Sequence, residues 1–68
     1  MSELIQKPSV DLVEGDIVYL GTMIDVVKKV TIDVAPSVLV RVDALRTNYN
    51  TDVHWYAGKK TLQTVEKK

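Results

Sequence analysis

The sequence predicts an all-β domain, a five-stranded antiparallel meander rolled into a small barrel. Of the 68 residues, 22 are Val, Ile or Thr, and such β-branched residues favour strands. Polar and apolar residues alternate with a period of two over several segments, which is typical of strands with one buried face. Short turn-forming sequences separate these segments, so consecutive strands are expected to be neighbours.

The first strand is expected at Ile17–Leu20, after the turn-forming sequence Glu14-Gly15-Asp16. Gly21 and Thr22 fit the two central positions of a type II′ hairpin turn that leads into the second strand. We expect residues 14–66 to form the single domain and residues 1–13 to be a loosely held N-terminal arm. The apolar residues of this arm need either a docking groove or a partner.

The second strand is expected over residues 24–34, where polar and apolar residues alternate. We expect one long, bent strand whose even-numbered side chains face inward and whose odd-numbered ones, including Asp25, face outward. Lys28 is the inward exception, with its ammonium group reaching an open end of the sheet.

Pro36 has no N–H group and predicts a turn at residues 35–37, after which residues 38–44 form the third strand with the even-numbered Val residues inward. The register sets Lys29 opposite Asp43 on the outer surface, a favourable pair of opposite charges. On the inner face it predicts the pairs Val34–Val38, Ile32–Val40 and Val30–Val42.

The fourth strand is expected over residues 51–57, with Thr51, Val53 and Trp55 inward. Two registers against the third strand are open: one sets Asp43 opposite Asp52, and the other sets Asp43 opposite His54 and Arg41 opposite Tyr56. We favour the second because it avoids a pair of like charges. Trp55 is expected in the core; if the small barrel leaves one edge of its ring exposed, it is an interaction hot spot.

Gly58-Lys59-Lys60 ends the fourth strand. Leu62 and Val65, three residues apart, indicate either a tight helical turn or a short closing strand. The last three residues are expected to fray.

Gly15, Asp16 and Val18 form a G-D-x-V opening, followed by the strand at residues 24–34 and by an aromatic strand that closes on residues 62–65. In these features residues 14–66 resemble the small Src-homology-3-like (SH3-like) barrels of the KOW and Tudor-like kind. Such domains often carry a long loop before the glycine of the second strand, whereas here Gly21 directly follows the first strand. The resemblance therefore implies the fold without a loop-built ligand or RNA site, and it implies no specific function.

The composition excludes several classes of function. The chain has no Cys and one His, which excludes disulfides, thiol nucleophiles and multi-histidine or thiolate metal sites within one chain. Nine basic and nine acidic residues give a net charge of zero, so no overall field attracts nucleic acid. No apolar run is long enough to span a membrane and no signal peptide is recognisable, so we expect a cytoplasmic protein without membrane contact. A domain of this size rarely houses an active-site cleft, and we expect neither catalysis nor a cofactor.

His54 is the side chain with an ordinary pKa near neutrality, so it is the candidate for a general base or pH sensor. The more common alternative is an outward position on a strand, hydrogen-bonded to Asp43 or water.

The acids Asp11, Glu14 and Asp16 do not have the spacing of a calcium loop, and we expect solvated turn residues. Basic and aromatic residues that could gather on one surface for base stacking and phosphate contact are Arg41, Arg46, Lys59, Lys60, Tyr49 and Tyr56. The alternative for these is a solvated face interrupted by acids.

The leading hypothesis is a small non-catalytic accessory or regulatory module that binds a protein partner, of the kind that phages and plasmids often encode. Its expected binding residues are Arg41, Arg46, Tyr49, His54, Tyr56 and Lys59. The alternatives are a nucleic-acid-binding barrel and a structural subunit that forms a homo-oligomer through the N-terminal arm or an edge strand.

Overall fold

The computed structural model describes residues 3–34 and 39–67. They form one antiparallel sheet of six strands in the order β1-β6-β2-β3-β4-β5. The strands are β1 (Leu4–Pro8), β2 (Ile17–Leu20), β3 (Met23–Val34), β4 (Leu39–Arg46), β5 (Thr51–Gly58) and β6 (Leu62–Glu66), and a short 3₁₀ helix (Ser9–Asp11) follows β1. The predicted all-β class and the antiparallel meander from β2 to β5 are thus confirmed.

Two details of the predicted architecture are wrong. The sheet has six strands instead of five, and it is not closed into a barrel, because β1 and β5 lie at opposite edges and do not pair. The additional strand comes from the segment predicted as an arm: β1 pairs with β6 from Leu4 opposite Glu66 to Pro8 opposite Leu62. Of the two alternatives for the closing segment, the short strand is the correct one.

The residues after β1 are anchored in the interior. Ser9 is fully buried; its Oγ donates to the carbonyl of Thr61 at 2.8 Å and accepts from Nε2 of Gln63 at 3.1 Å. Leu12 is 3% exposed and belongs to the hydrophobic core. The described part of the predicted arm therefore belongs to the domain, because it supplies a strand, a buried hydrogen-bond network and a core side chain.

The turn before β2 explains the G-D-x-V pattern in physical terms. Gly15 has a φ of +94°, a conformation that side chains other than glycine rarely adopt. Asp16 is buried, contrary to the expectation of a solvated acid, and its Oδ2 accepts hydrogen bonds of 2.9 Å from the backbone N–H of Val13 and from Nζ of Lys7. The motif thus ties β1 to the start of β2.

The β2–β3 hairpin has the predicted two-residue turn. Leu20 pairs with Met23, Gly21 has a φ of +62°, and Thr22 does not have a positive φ. This combination matches type II′, which needs positive φ at the first central position alone.

The predicted register between β3 and β4 is confirmed for three pairs: Lys29 with Asp43, Val30 with Val42, and Ile32 with Val40. The turn at residues 35–37 lies outside the described residues. The predicted pair Val34–Val38 is wrong, because Val34 pairs with Leu39 after a second register shift between Ile32 and Val34. A register shift between Val27 and Lys29 makes Lys28 an extra residue in β3.

This β-bulge at Lys28 makes the predicted parity wrong for the first part of β3. Asp25 and Val27 are buried, whereas Val26 is only half-buried, so odd-numbered residues face inward before the bulge. A bulge inserts one residue and thereby exchanges the two faces of the strand. The side chain of Lys28 itself is exposed.

The core lies on the inner face of the sheet and is richest around β4. The buried hydrophobic side chains are those of Leu12, Val18, Val27, Val40, Val42, Ala44 and Val65. Val53 and Trp55 of β5 pack against this cluster but remain half-buried. Burial therefore decreases from β4 to the edge strand β5.

The opposite faces of the β3–β4 hairpin should respond differently to a new charge. Val40→Asp places an unpaired carboxylate at a fully buried site and should cost about 4 kcal/mol or more, enough to unfold a domain of this size. Thr31→Asp, at an exposed position opposite Arg41, should change the free energy of unfolding by less than about 0.5 kcal/mol. Urea denaturation measures both, and equal midpoints would contradict this register.

A tyrosine links β2 to β6. The Tyr19 hydroxyl donates to Oε2 of Glu66 at 3.1 Å, and this hydrogen bond to the carboxylate is the main cause that raises the pKa of Tyr19. The stabilisation from this bond is therefore present below the ordinary tyrosine pKa of about 10 and is lost as the pH rises through the higher pKa of the folded state. In an alkaline titration followed by phenolate absorbance, the ionisation of Tyr19 is identified as the one that disappears in Tyr19→Phe. Glu66→Gln should move it to lower pH; an unchanged midpoint in Glu66→Gln would refute the assignment.

Candidate functional site

Three of the six predicted binding residues lie together on the outer face of β4 and β5. The favoured register is confirmed, with Asp43 opposite His54 and Arg41 opposite Tyr56. Because Arg41 and Asp43 are two residues apart on β4, and His54 and Tyr56 two apart on β5, all four share one face. We call these four residues the β4–β5 outer surface.

The side chains of the β4–β5 outer surface contact one another within each strand. The rings of His54 and Tyr56 are edge-to-face, with centroids 6.1 Å apart and planes at 82°. The guanidinium group of Arg41 donates from Nε and Nη2 to Oδ1 of Asp43 at 3.3 and 3.2 Å. The contact with His54 restrains the ring of Tyr56, which is still accessible because the residue is 48% exposed.

A shallow depression of about 250 Å³ adjoins this surface where the bulge of β3 lies. Lys28 and Asp52 form an ion pair of 2.9 Å beside it. The depression is lined by Lys28, Asp43, Ala44, Asp52, Val53 and His54. Sites that enclose a drug-sized ligand generally have a volume of at least about 300 Å³ and are mostly apolar, so this depression is small and polar by comparison.

Arg46 is placed elsewhere. It lies on the inner face, where its Nε and Nη2 donate to Oδ1 and Oδ2 of Asp25 at 2.9 and 3.1 Å. The indole N–H of Trp55 donates to the same Oδ2 at 3.2 Å. The Asp25 side chain is completely buried, and its hydrogen bonds with Arg46 raise the pKa of the guanidinium group. Arg46 therefore neutralises an internal carboxylate instead of contributing to a surface for phosphates.

Tyr49 and Lys59 lie at opposite ends of the β4–β5 hairpin. Tyr49 is 67% exposed in the turn before β5, and Lys59 directly follows the end of β5, where its carbonyl accepts from the N–H of Val10. An eight-residue strand separates the two positions, which corresponds to about 26 Å. The basic and aromatic residues considered for nucleic acid are thus not gathered on one surface.

Sequence reasoning missed the group formed by Asp25, Arg46 and Trp55. One signal for it exists in the sequence. A lone Trp at an inward position needs an acceptor for its N–H group. This signal does not single out Asp25, because Asp11, Asp33 and Asp43 are also flanked by apolar residues. The alternation of β3 gave no indication that Asp25 faces inward.

No family model, curated protein or solved structure matches this chain. Within residues 3–34 and 39–67, no group of three or more potential metal ligands occurs. The same residues contain no helix with the length and apolarity of a membrane span.

The two arginines of β4 should differ sharply in their effect on stability. Arg46→Ala leaves the buried Asp25 carboxylate without its counter-ion, a change that is strongly destabilising in protein interiors. Arg41→Ala breaks an ion pair whose partners are both partly exposed, and such pairs contribute little. We expect Arg46→Ala to lower the urea midpoint severalfold more than Arg41→Ala. Similar midpoints would mean that the internal pair does not stabilise the fold.

Proposed function

We propose that this chain is a small non-catalytic binding module that attaches to a protein partner through the β4–β5 outer surface. The observation that carries the proposal is the register that sets Arg41 opposite Tyr56 next to a sheet edge, with the tyrosine 48% exposed. An accessory or regulatory role and a cytoplasmic location, both expected from the sequence, belong to this proposal.

The residue types support binding to a protein. Tyr and Arg are enriched among the residues that contribute most to protein–protein affinity. The contacts of Arg41 with Asp43 and of Tyr56 with His54 restrict both side chains before a partner arrives. Less side-chain entropy is then lost on binding.

The charges favour a protein over a nucleic acid. Asp43 balances the charge of Arg41 on the same surface, and Arg46 is paired internally with Asp25. Binding to a phosphate backbone relies on several cations that are available together, and its strength grows with their number. A mixed polar and aromatic surface fits the side chains and backbone of a protein better.

The arrangement also favours binding over catalysis. Charged groups around the depression neutralise one another, as in the ion pair of Lys28 with Asp52. His54 is exposed and packs against Tyr56. A general base needs a defined substrate position within hydrogen-bond reach, and a small open depression does not enclose one.

The test uses peptides selected from a random library against the immobilised protein. Fluorescence anisotropy then measures the affinity of a selected peptide for variants whose thermal unfolding shows that they fold. We expect Tyr56→Ala and Arg41→Ala each to weaken binding about tenfold, as for hot-spot residues. Tyr49→Ala is the matched control, since this tyrosine is also exposed but lies in the turn, and it should leave the affinity unchanged.

Two results would contradict the proposal. One is a set of peptides whose affinity does not change in Tyr56→Ala or Arg41→Ala. The other is the selection of no peptide together with tight, salt-sensitive binding of a single-stranded oligonucleotide, which would favour the nucleic-acid alternative.

A further inference from the structure

The two edges of the sheet differ in how well they are protected. β1 has five residues and ends with Pro8, which cannot donate a backbone hydrogen bond. β5 has eight residues, contains no proline, and pairs with β4 without a register shift from Gly58 opposite Leu39 to Thr51 opposite Arg46. No described strand pairs with its other edge, although the 3₁₀ helix lies beside β5 near the end of the strand, where the N–H of Val10 donates to the carbonyl of Lys59. Natural edge strands are usually short, bulged or interrupted by proline, because a regular edge offers its N–H and C=O groups to another strand.

The inner face of the sheet is incompletely covered at this edge. Val42 and Ala44 of β4 are 0% and 1% exposed, whereas their partners across the ladder, Trp55 and Val53 of β5, are only half-buried. An additional strand with apolar side chains on this face would remove more apolar surface from water. Because side chains alternate along a strand, these apolar residues would occupy every second position of the added segment.

Asp52 is the acidic residue on the outer face of β5, which it shares with His54 and Tyr56. The Asp52 side chain is 75% exposed, and its ion-pair partner Lys28 reaches it from β3, on the side away from the edge. Residues directly opposite in paired strands interact most strongly, and opposite charges are favourable there. A Lys or Arg opposite Asp52 would therefore complement this edge.

We propose that the edge of β5 accepts an extended segment of the partner protein as a seventh strand. The segment carries apolar side chains at alternate positions, next to Val53 and Trp55, and a Lys or Arg opposite Asp52. This inference rests on the proposed function and adds the chemistry of the partner and the way it binds. Main-chain hydrogen bonds hold the segment, and its side chains give the specificity, as in other cases of strand addition.

A second copy of the chain is a poorer occupant of this edge. β5 contains neither Lys nor Arg, so pairing of two β5 strands supplies no such cation opposite Asp52. β1 contains Lys7, but this ammonium group is bound to the buried Asp16 at 2.9 Å. A partner segment supplies a Lys or Arg opposite Asp52 without breaking an internal contact.

The experiment places single N-methyl groups along a peptide selected as described above. N-methylation removes one N–H donor, and because donors alternate in direction along a strand, the effect should alternate as well. We expect affinity to fall about fivefold at every second residue and to change little at the residues between them. Amide exchange of the full chain should slow in β5 when the unmodified peptide is bound.

A pair of charge variants tests the expected cation. Asp52→Asn should weaken a peptide that contains Lys or Arg about threefold, and should not weaken the same peptide with that residue replaced by Gln. Glu3→Gln is the matched control: Glu3 is also 75% exposed and ion-paired with a lysine, but precedes β1 at the opposite edge. It should leave both affinities unchanged.

The outcomes separate this inference from the proposed function. If Tyr56→Ala weakens peptide binding but N-methylation has no alternating effect, the outer surface binds the partner and strand addition at β5 is refuted. If no peptide binds, both fail. If amide exchange in β5 slows as the protein concentration rises without peptide, a second copy occupies the edge and the inference is overturned.

Discussion

Lys28 is one residue more than β4 can pair with, and the composition of both faces of the sheet depends on this insertion. Before it, Asp25 and Val27 face the core; after it, Val30 does so together with Val42. A strand without the bulge would continue a single alternation and place Asp25 in solvent. The insertion thus creates the internal acid and also brings the Lys28 side chain to Asp52, beside the proposed binding surface.

The buried carboxylate constrains which register the strands can adopt. Taking a charge out of water is costly unless hydrogen bonds satisfy it, and Asp25 obtains them from Arg46 and Trp55, which lie on two different strands. A slip of two residues between β3 and β4 would keep Asp25 on the inner face but set it opposite Ala44, which has no donor to offer. The polar group in the core therefore discriminates against alternatives that the many similar Val side chains would tolerate.

Those features that depend on local patterns could be predicted from the sequence. Alternating Val residues and the opposite charges of Lys29 and Asp43 predict the register between β3 and β4. The register between β4 and β5 follows from avoiding a pair of like charges, Asp43 and Asp52, and it sets Arg41 opposite Tyr56. β1 was missed because its alternation is weak and its partner β6 is distant in sequence. The internal position of Arg46 cannot be predicted from periodicity, because the single inserted residue Lys28 decides which face its partner Asp25 occupies, and periodicity does not reveal insertions.

Because β1 pairs with β6, the sheet cannot be completed until β6 has been synthesised. Gln6 bonds to Thr64, 58 residues later, and the buried Ser9 bonds to Gln63. On the ribosome, β1 therefore emerges long before its partner exists, while the hairpins from β2 to β5 can form from neighbouring residues. Until β6 arrives, β2 is an unprotected edge and Val18 lacks the neighbouring Val65. Translation of β6 thus completes the pairing of the described strands, so a ribosome that stalls before β6 leaves a nascent chain prone to aggregation.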